Sequence, residues 1–112
     1  MTHCIFCKIA QKQLNTTFIY EDNEVLAFDD IHPKAPIHIL IIPKKHIATL
    51  NDIGSDDTML LGQLLQTAKT IAAQKNIDQS GYRIIMNCNK EGGQEVYHIH
   101  LHLIGGRRLG FE

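Results

Sequence analysis

Three histidines stand at strict two-residue spacing near the end of the chain, in Tyr97-His98-Ile99-His100-Leu101-His102-Leu103-Ile104. Neutral imidazoles supply nucleophiles, acids, bases and metal ligands near pH 7, so such a row suits phosphoryl chemistry or a metal, and spacing alone does not choose. It does choose a backbone. Side chains alternate faces along a strand, so His98, His100 and His102 share one face, roughly 6.7 Å apart, while Ile99, Leu101 and Leu103 line the other. A helix would turn each imidazole about 200° from the next. The pattern predicts a last strand over residues 96–104.

Other residues offer chemistry beside this row. The loop Asn89-Lys90-Glu91-Gly92-Gly93 directly precedes it, and a Gly-Gly pair permits backbone conformations in which amide N–H groups point at an anion, which predicts a phosphate cradle. Cys4 and Cys7 form a Cys-x2-Cys pair. Structural zinc takes four N or S ligands, so two more must come from elsewhere in the chain. Cys88 has no partner in sequence and reads as a strand residue.

The positioning elements follow from periodicity. Residues 5–13 place Ile5, Phe6, Ile9 and Ala10 on one helical face. Residues 17–20 and 24–28 are β-prone and flank Glu21-Asp22-Asn23, a hairpin turn. Residues 37–42 form an apolar run between Pro36 and Pro43, as expected of a central strand covered on both faces, with His38 its polar exception. Ser55 can cap a long helix whose first turn carries Asp56 and Asp57. Its stripe is Leu60, Leu61, Leu64, Leu65, Ala68, Ile71 and Ala72, and Gly81 lies beyond its end. Residues 82–88 read as another strand. Helix, three strands, long helix and two strands indicate an α+β domain around a mostly antiparallel sheet.

Composition sets the outer limits. A chain of 112 residues with 44% apolar content fits one domain over residues 1–112, large enough to fold without disulfides. Eleven basic and twelve acidic residues, net charge -1, leave no basic stripe for nucleic acid. No apolar run approaches the roughly 20 residues of a membrane span, and the start Met1-Thr2-His3-Cys4 has no leader pattern. Three cysteines fit a reducing compartment. The expectation is a cytoplasmic protein that holds any nucleotide locally.

The residues resemble the histidine triad family, in its branch of nucleotide-binding, HINT-like purine nucleoside phosphoramidases. The likeness rests on Cys4-Ile5-Phe6-Cys7-Lys8-Ile9, Ala27-Phe28-Asp29-Asp30-Ile31, Ile42-Pro43-Lys44-Lys45-His46-Ile47 and Gly92-Gly93-Gln94-Glu95-Val96-Tyr97-His98-Ile99-His100-Leu101-His102. It implies a five-stranded antiparallel sheet with a short N-terminal helix and one long helix, and a homodimer joining two sheets into one of ten strands. Carried over by position, it makes His100 the nucleophile on the α-phosphorus of a purine nucleoside 5′-phosphoramidate. An amine leaves, a nucleotidyl-histidine forms, and water releases the monophosphate. His102 and His38 would contact phosphate oxygens.

The same resemblance gives Asp30 the ribose hydroxyls, and Ile5, Phe6, Ile9 and Ile31 the purine slot. Asn87 and the turn Gly93-Gln94-Glu95, with Val96 beside it, would hold the phosphate and leaving group. Some members with the Cys-x2-Cys pair complete a zinc site with the residues corresponding to His46 and His98, and no organic cofactor is implied. A branch that cleaves dinucleoside polyphosphates ends its motif in Gln, so His102 favours the phosphoramidase branch. Glu95 departs from members with a serine there, and a carboxylate beside a phosphate must be protonated or turned aside. A non-catalytic, zinc-stabilised nucleotide-binding module is the alternative reading. An intact His100 favours catalysis, since recognition alone requires no nucleophile.

Overall fold

The computed structural model describes residues 4–110; residues 1–3, which were read for a leader, lie outside them. The order of elements is α1 (Ile5–Ala10), β1 (Tyr20–Glu21), β2 (Val25–Asp29), β3 (Ile37–Pro43), α2 (Thr58–Gln74), β4 (Tyr82–Ile85) and β5 (Leu101–Gly105). The strands form one antiparallel sheet in the order β1-β2-β3-β5-β4. The α+β class and the five strands stand as the sequence predicts. Among the described residues, no helix is long and apolar enough to cross a membrane.

Strand β3 lies in the middle, and its residues from His38 to Pro43 are all buried. Alternation along the strands sorts their side chains into two cores. Val25, Ala27, Ile39, Ile41, Leu101 and Leu103 pack on Leu60, Leu64, Ala68 and Ile71 of α2. Leu26, Phe28, Leu40 and Ile42 pack on Phe6 and Ile9 of α1. Each fully buried aliphatic side chain contributes about 1.5–3 kcal/mol relative to exposure. His38 and His102 belong by parity to the α1 face, and the register Leu40↔His102 and His38↔Ile104 makes them diagonal neighbours.

Several element ends differ from expectation, for local reasons. Helix α1 stops at Ala10 rather than residue 13, because Lys12 takes a left-handed φ of 62° and Gln13 N–H bonds back to Lys8. Helix α2 likewise closes on Asn76, φ 61°, with Ile77 N–H returning to Ala72, well before Gly81. Its start is also later: residues 55–57 form a 3₁₀ turn, so Asp57 rather than Ser55 stands at the cap position. The Asp57 carboxylate accepts from Gly54 N–H at 2.9 Å and from Lys45 Nζ at 2.6 Å. Leu65 falls off the buried stripe and is exposed. A turn forms where expected, Asp22 Oδ1 accepting from Glu24 and Val25 N–H, but β1 is only two residues, starting three positions later than the predicted residues 17–20 and taking in Glu21, which was expected in the turn.

The largest departure concerns the histidine strand. Only Leu101–Gly105 is laddered, so His98 and His100 precede β5 rather than lie in it. The register would pair residue 99 with Pro43, which has no N–H to give, and the ladder stops short of it. Extended alternation nonetheless continues: Ile99 joins Leu101 and Leu103 in the α2 core, while Phe6 on the opposite side touches the rings of His98 and His100. Strand β4 ends at Ile85, three residues before Cys88.

Candidate active site

A cavity of about 430 Å³ opens on the α1 face of the sheet. That is within the size range of small-ligand pockets. Its lining includes Ile5, Phe6, Ile9, Asp30, Ile31, His38, Asn87, Gly93, Glu95, Val96, His100 and His102. The structure therefore brings together every proposed nucleotide residue except Gln94. That side chain is buried and braces the preceding loop: its Oε1 accepts from Asn89 N–H at 2.8 Å, and its Nε2 donates to Ala48 O at 2.7 Å. Ile31 borders the cavity while 86% exposed.

At the predicted Gly92-Gly93 cradle the amides bond within the loop itself. The N–H groups of Gly92, Gly93 and Gln94 are donated to carbonyls of their own loop, those of Asn89, Lys90 and Asn89 respectively. Gly93, φ 82°, serves the turn, and Asn87 Nδ2 ties it by donating to Gly92 O at 2.7 Å. Those three amides are spent on the turn.

Hydrogen-bond partners fix which ring nitrogen of each histidine carries its proton. A carbonyl only accepts, so His98 Nε2, 2.7 Å from Pro43 O, bears hydrogen, and so does His100 Nδ1, 2.8 Å from His98 O. His38 Nδ1 accepts from Lys34 N–H at 3.0 Å, which puts its proton on Nε2. That N–H lies 3.0 Å from His102 Nδ1 and 3.3 Å from Asp30 Oδ2. The His102 proton is left on Nε2. Thus His98 keeps a bare Nδ1, His100 a bare Nε2, and His102 an outward donor. Burial pushes the pKa values of His38 and His100 below the ordinary 6.5, and those of His98 and His102 down to about 4. All four rings are neutral at pH 7.

The bare Nδ1 of His98 faces a second constellation. Cys4, Cys7, His46 and His98 bring their donor atoms within 4.8 Å of one another. Individual separations are 3.4 Å from Cys4 Sγ to His98, 3.2 Å from Cys7 Sγ to His46, 3.6 Å from Cys7 Sγ to His98, and 3.3 Å between the two Nδ1 atoms. Four corners placed about 2.0–2.3 Å from a centre have edges of about 3.3–3.8 Å, the dimensions of a tetrahedral thiolate–imidazole metal site. The group can hold a metal.

Asp30, His38 and His102 also converge, yet they fit a metal poorly. A metal on His38 Nε2 would displace the only proton of a ring whose Nδ1 already accepts from Lys34. The three are therefore read as a hydrogen-bond chain. Asp30 Oδ1 is also engaged, accepting from His32 N–H at 2.8 Å.

A model of the HIT domain matches residues 11–109. The chain belongs to the HIT domain family. The purine nucleoside phosphoramidase of Escherichia coli K12 is 51% identical to it over 106 residues, which is 95% of this chain and 89% of that protein. A HIT family hydrolase from Legionella pneumophila superposes with a TM-score of 0.95 at 54% identity, over 97% of each chain. A histidine triad protein from Clostridium difficile gives 0.96 at 44% identity, over 100% of this chain and 97% of the other.

Lining residues of this HIT domain that the sequence reading missed are Thr16, Phe28, Asp29, His32, Lys34 and Leu40. Phe28 and Leu40 share strand parity with buried residues of the α1 core, a signal available from alternation. Lys34 lies between Pro33 and Pro36 in the loop before His38, and only the fold reveals its position.

The neutral state of His102 has a consequence for stability. An unfolded imidazole takes up its proton near 6.5, whereas folded His102 resists protonation down to about 4. Its contribution is therefore complete above pH 6.5 and is lost as pH falls toward 4. Urea unfolding of the wild type from pH 7 to 4.5 should lose stability more steeply than His102→Gln, by at most about 1.4 kcal/mol per pH unit. Equal slopes would show that His102 is not held neutral.

Proposed function

We propose that this chain is a hydrolase of purine nucleoside 5′-phosphoramidates, formed by one HIT domain over its 112 residues, with His100 as nucleophile. The observation that carries the reading is the bond from His100 Nδ1–H to His98 O, which leaves Nε2 as the available lone pair on a neutral ring lining the cavity. Identity of 51% with a purine nucleoside phosphoramidase supports the substrate class.

In the proposed reaction His100 Nε2 attacks the α-phosphorus, the P–N bond breaks, and the amine departs with a proton taken from water. A second water then cleaves the phosphorus–histidine bond, releasing the nucleoside monophosphate and restoring the neutral ring. His102 Nε2–H and His38 serve the phosphate oxygens, His102 by donation and His38 by fixing its tautomer. Asn87 and the rim formed by Gly93, Glu95 and Val96 flank the leaving group, while Gln94 shapes that rim from beneath. Glu95 is exposed, so its carboxylate is solvated at the rim where the amine departs. Asp30 takes the ribose hydroxyls. Ile5, Phe6, Ile9 and Ile31 take the purine.

Turnover of adenosine 5′-phosphoramidate by the wild type and by His100→Ala tests this assignment. The substitution should lower kcat by at least about 10³-fold. Activity unchanged by it would refute the mechanism, and tight nucleotide binding by a wild type without turnover would establish the binding module instead.

The reading extends to zinc and to a homodimer. The imidazoles of His98 and His46 with the sulfurs of Cys4 and Cys7 are a donor set that suits zinc, which would hold α1, through its cap residue Cys4 and through Cys7, against the sheet. Strand β4 pairs only with β5 among the described residues and is longer than the other edge, β1. An exposed edge of that kind is commonly covered by pairing, which would join two sheets into ten strands. Native mass spectrometry of untagged protein should show two chains with one zinc ion each. Cys7→Ser should lose the metal. A monomer at micromolar concentration would contradict the dimer, and metal-free protein after refolding with excess zinc would contradict the zinc site.

A further inference from the structure

The phosphate end of this cavity is short of positive charge. The Nε2–H of His38 is turned toward His102 Nδ1 and Asp30 Oδ2, and the amides of Gly92, Gly93 and Gln94 are bonded within their own loop. The lining also carries Asp29, Asp30 and Glu95. An anionic phosphorus group would meet net repulsion there unless a cation answers it.

Lys34 is the one Lys or Arg on that lining among the described residues. Its main chain is fixed on both sides of the residue. The Lys34 N–H donates to His38 Nδ1 at 3.0 Å, and its carbonyl accepts from Arg107 Nη2 at 2.9 Å. The turn that carries Arg107 is itself seated on the loop: Gly106, φ 95°, lies so close to Pro36 that an added Cβ would come within 2.9 Å of the Pro36 Cβ. The long side chain of Lys34 thus leaves from a braced Cα, beside the histidines rather than out on a free loop. Its ammonium is near enough to His38 and His102 to disfavour a proton on either, an effect smaller than that of burial.

We propose that Lys34 is the cationic binding residue of this site, pairing through Nζ with the phosphate oxygens of the bound nucleotide. The inference rests on the reading that the phosphate sits beside His100 and His102. It gives residue 34 two separable tasks. The backbone N–H sets the tautomer of His38, and the ammonium offsets the charge of the phosphate. Substitution of the side chain removes only the second.

The test compares two ligands that differ only in the phosphate, AMP and adenosine, by titration calorimetry on the full chain. Lys34→Gln should weaken AMP about tenfold and Lys34→Glu further, while adenosine affinity stays within about twofold in both. Lys34→Arg should keep AMP affinity. Raising salt from about 0.05 M to about 0.5 M should weaken AMP more in the wild type than in Lys34→Gln. Parallel loss of AMP and adenosine would show a structural role and overturn the proposal, as would unchanged AMP affinity in Lys34→Glu. Phosphoramidate turnover measured alongside separates the two readings. A wild type that discriminates AMP through Lys34 without turning over phosphoramidate overturns the hydrolase and upholds Lys34. Turnover with AMP affinity indifferent to Lys34→Glu does the reverse.

Discussion

Two carbonyl groups organise the chemistry of this HIT domain. Pro43 O accepts from His98 Nε2 and His98 O accepts from His100 Nδ1, so each ring is locked in one tautomer and orientation by main chain rather than by another side chain. The tautomers are opposite. His98 turns its bare nitrogen toward Cys4, Cys7 and His46, and His100 is left with its bare nitrogen for the cavity. Burial reinforces the arrangement by disfavouring a second proton on either ring. The Pro43 carbonyl is available for this because the ladder ends there, proline having no N–H with which to continue it.

The same two bonds couple the metal-capable cluster to the cavity. His98 lends its ring to one and its carbonyl to the other, so its placement governs both. Helix α1 is drawn into this arrangement through Cys4 and Cys7, and between them Phe6 lies edge-on to His98, His100 and Phe28 at 5.9, 5.1 and 5.7 Å. Ile5 and Ile9 of the same helix reach the cavity wall. A six-residue helix is too short to be stable alone. Its position depends on the sheet and on the thiol–imidazole cluster.

Periodicity made much of this legible in the sequence. Alternation at residues 98–104 correctly sorted histidines from aliphatics, and the run at residues 37–42 correctly marked a strand buried on both faces. Alternation reports side-chain direction and not hydrogen bonding, which is why it could not show that the ladder stops at Leu101. The left-handed closures at Lys12 and Asn76 were missed because neither residue is the glycine that signals such a turn. Most cavity residues followed from the resemblance, since Asp30, Asn87 and Glu95 are distant in sequence. The bonds that Gln94 and the Gly92-Gly93 amides make within the protein were not legible in sequence, because a loop's internal hydrogen bonds depend on its backbone conformation. Lys34 carried no motif and became visible only through its bond to His38.

The central claim is the division of tautomers between His98 and His100, and imidazole ¹⁵N NMR of the full chain at pH 7 reads it directly. Long-range nitrogen–proton correlations should show protonated Nε2 and bare Nδ1 for His98, and protonated Nδ1 and bare Nε2 for His100. A proton on His100 Nε2 at that pH would remove the lone pair on which the proposed chemistry depends, and would contradict the account.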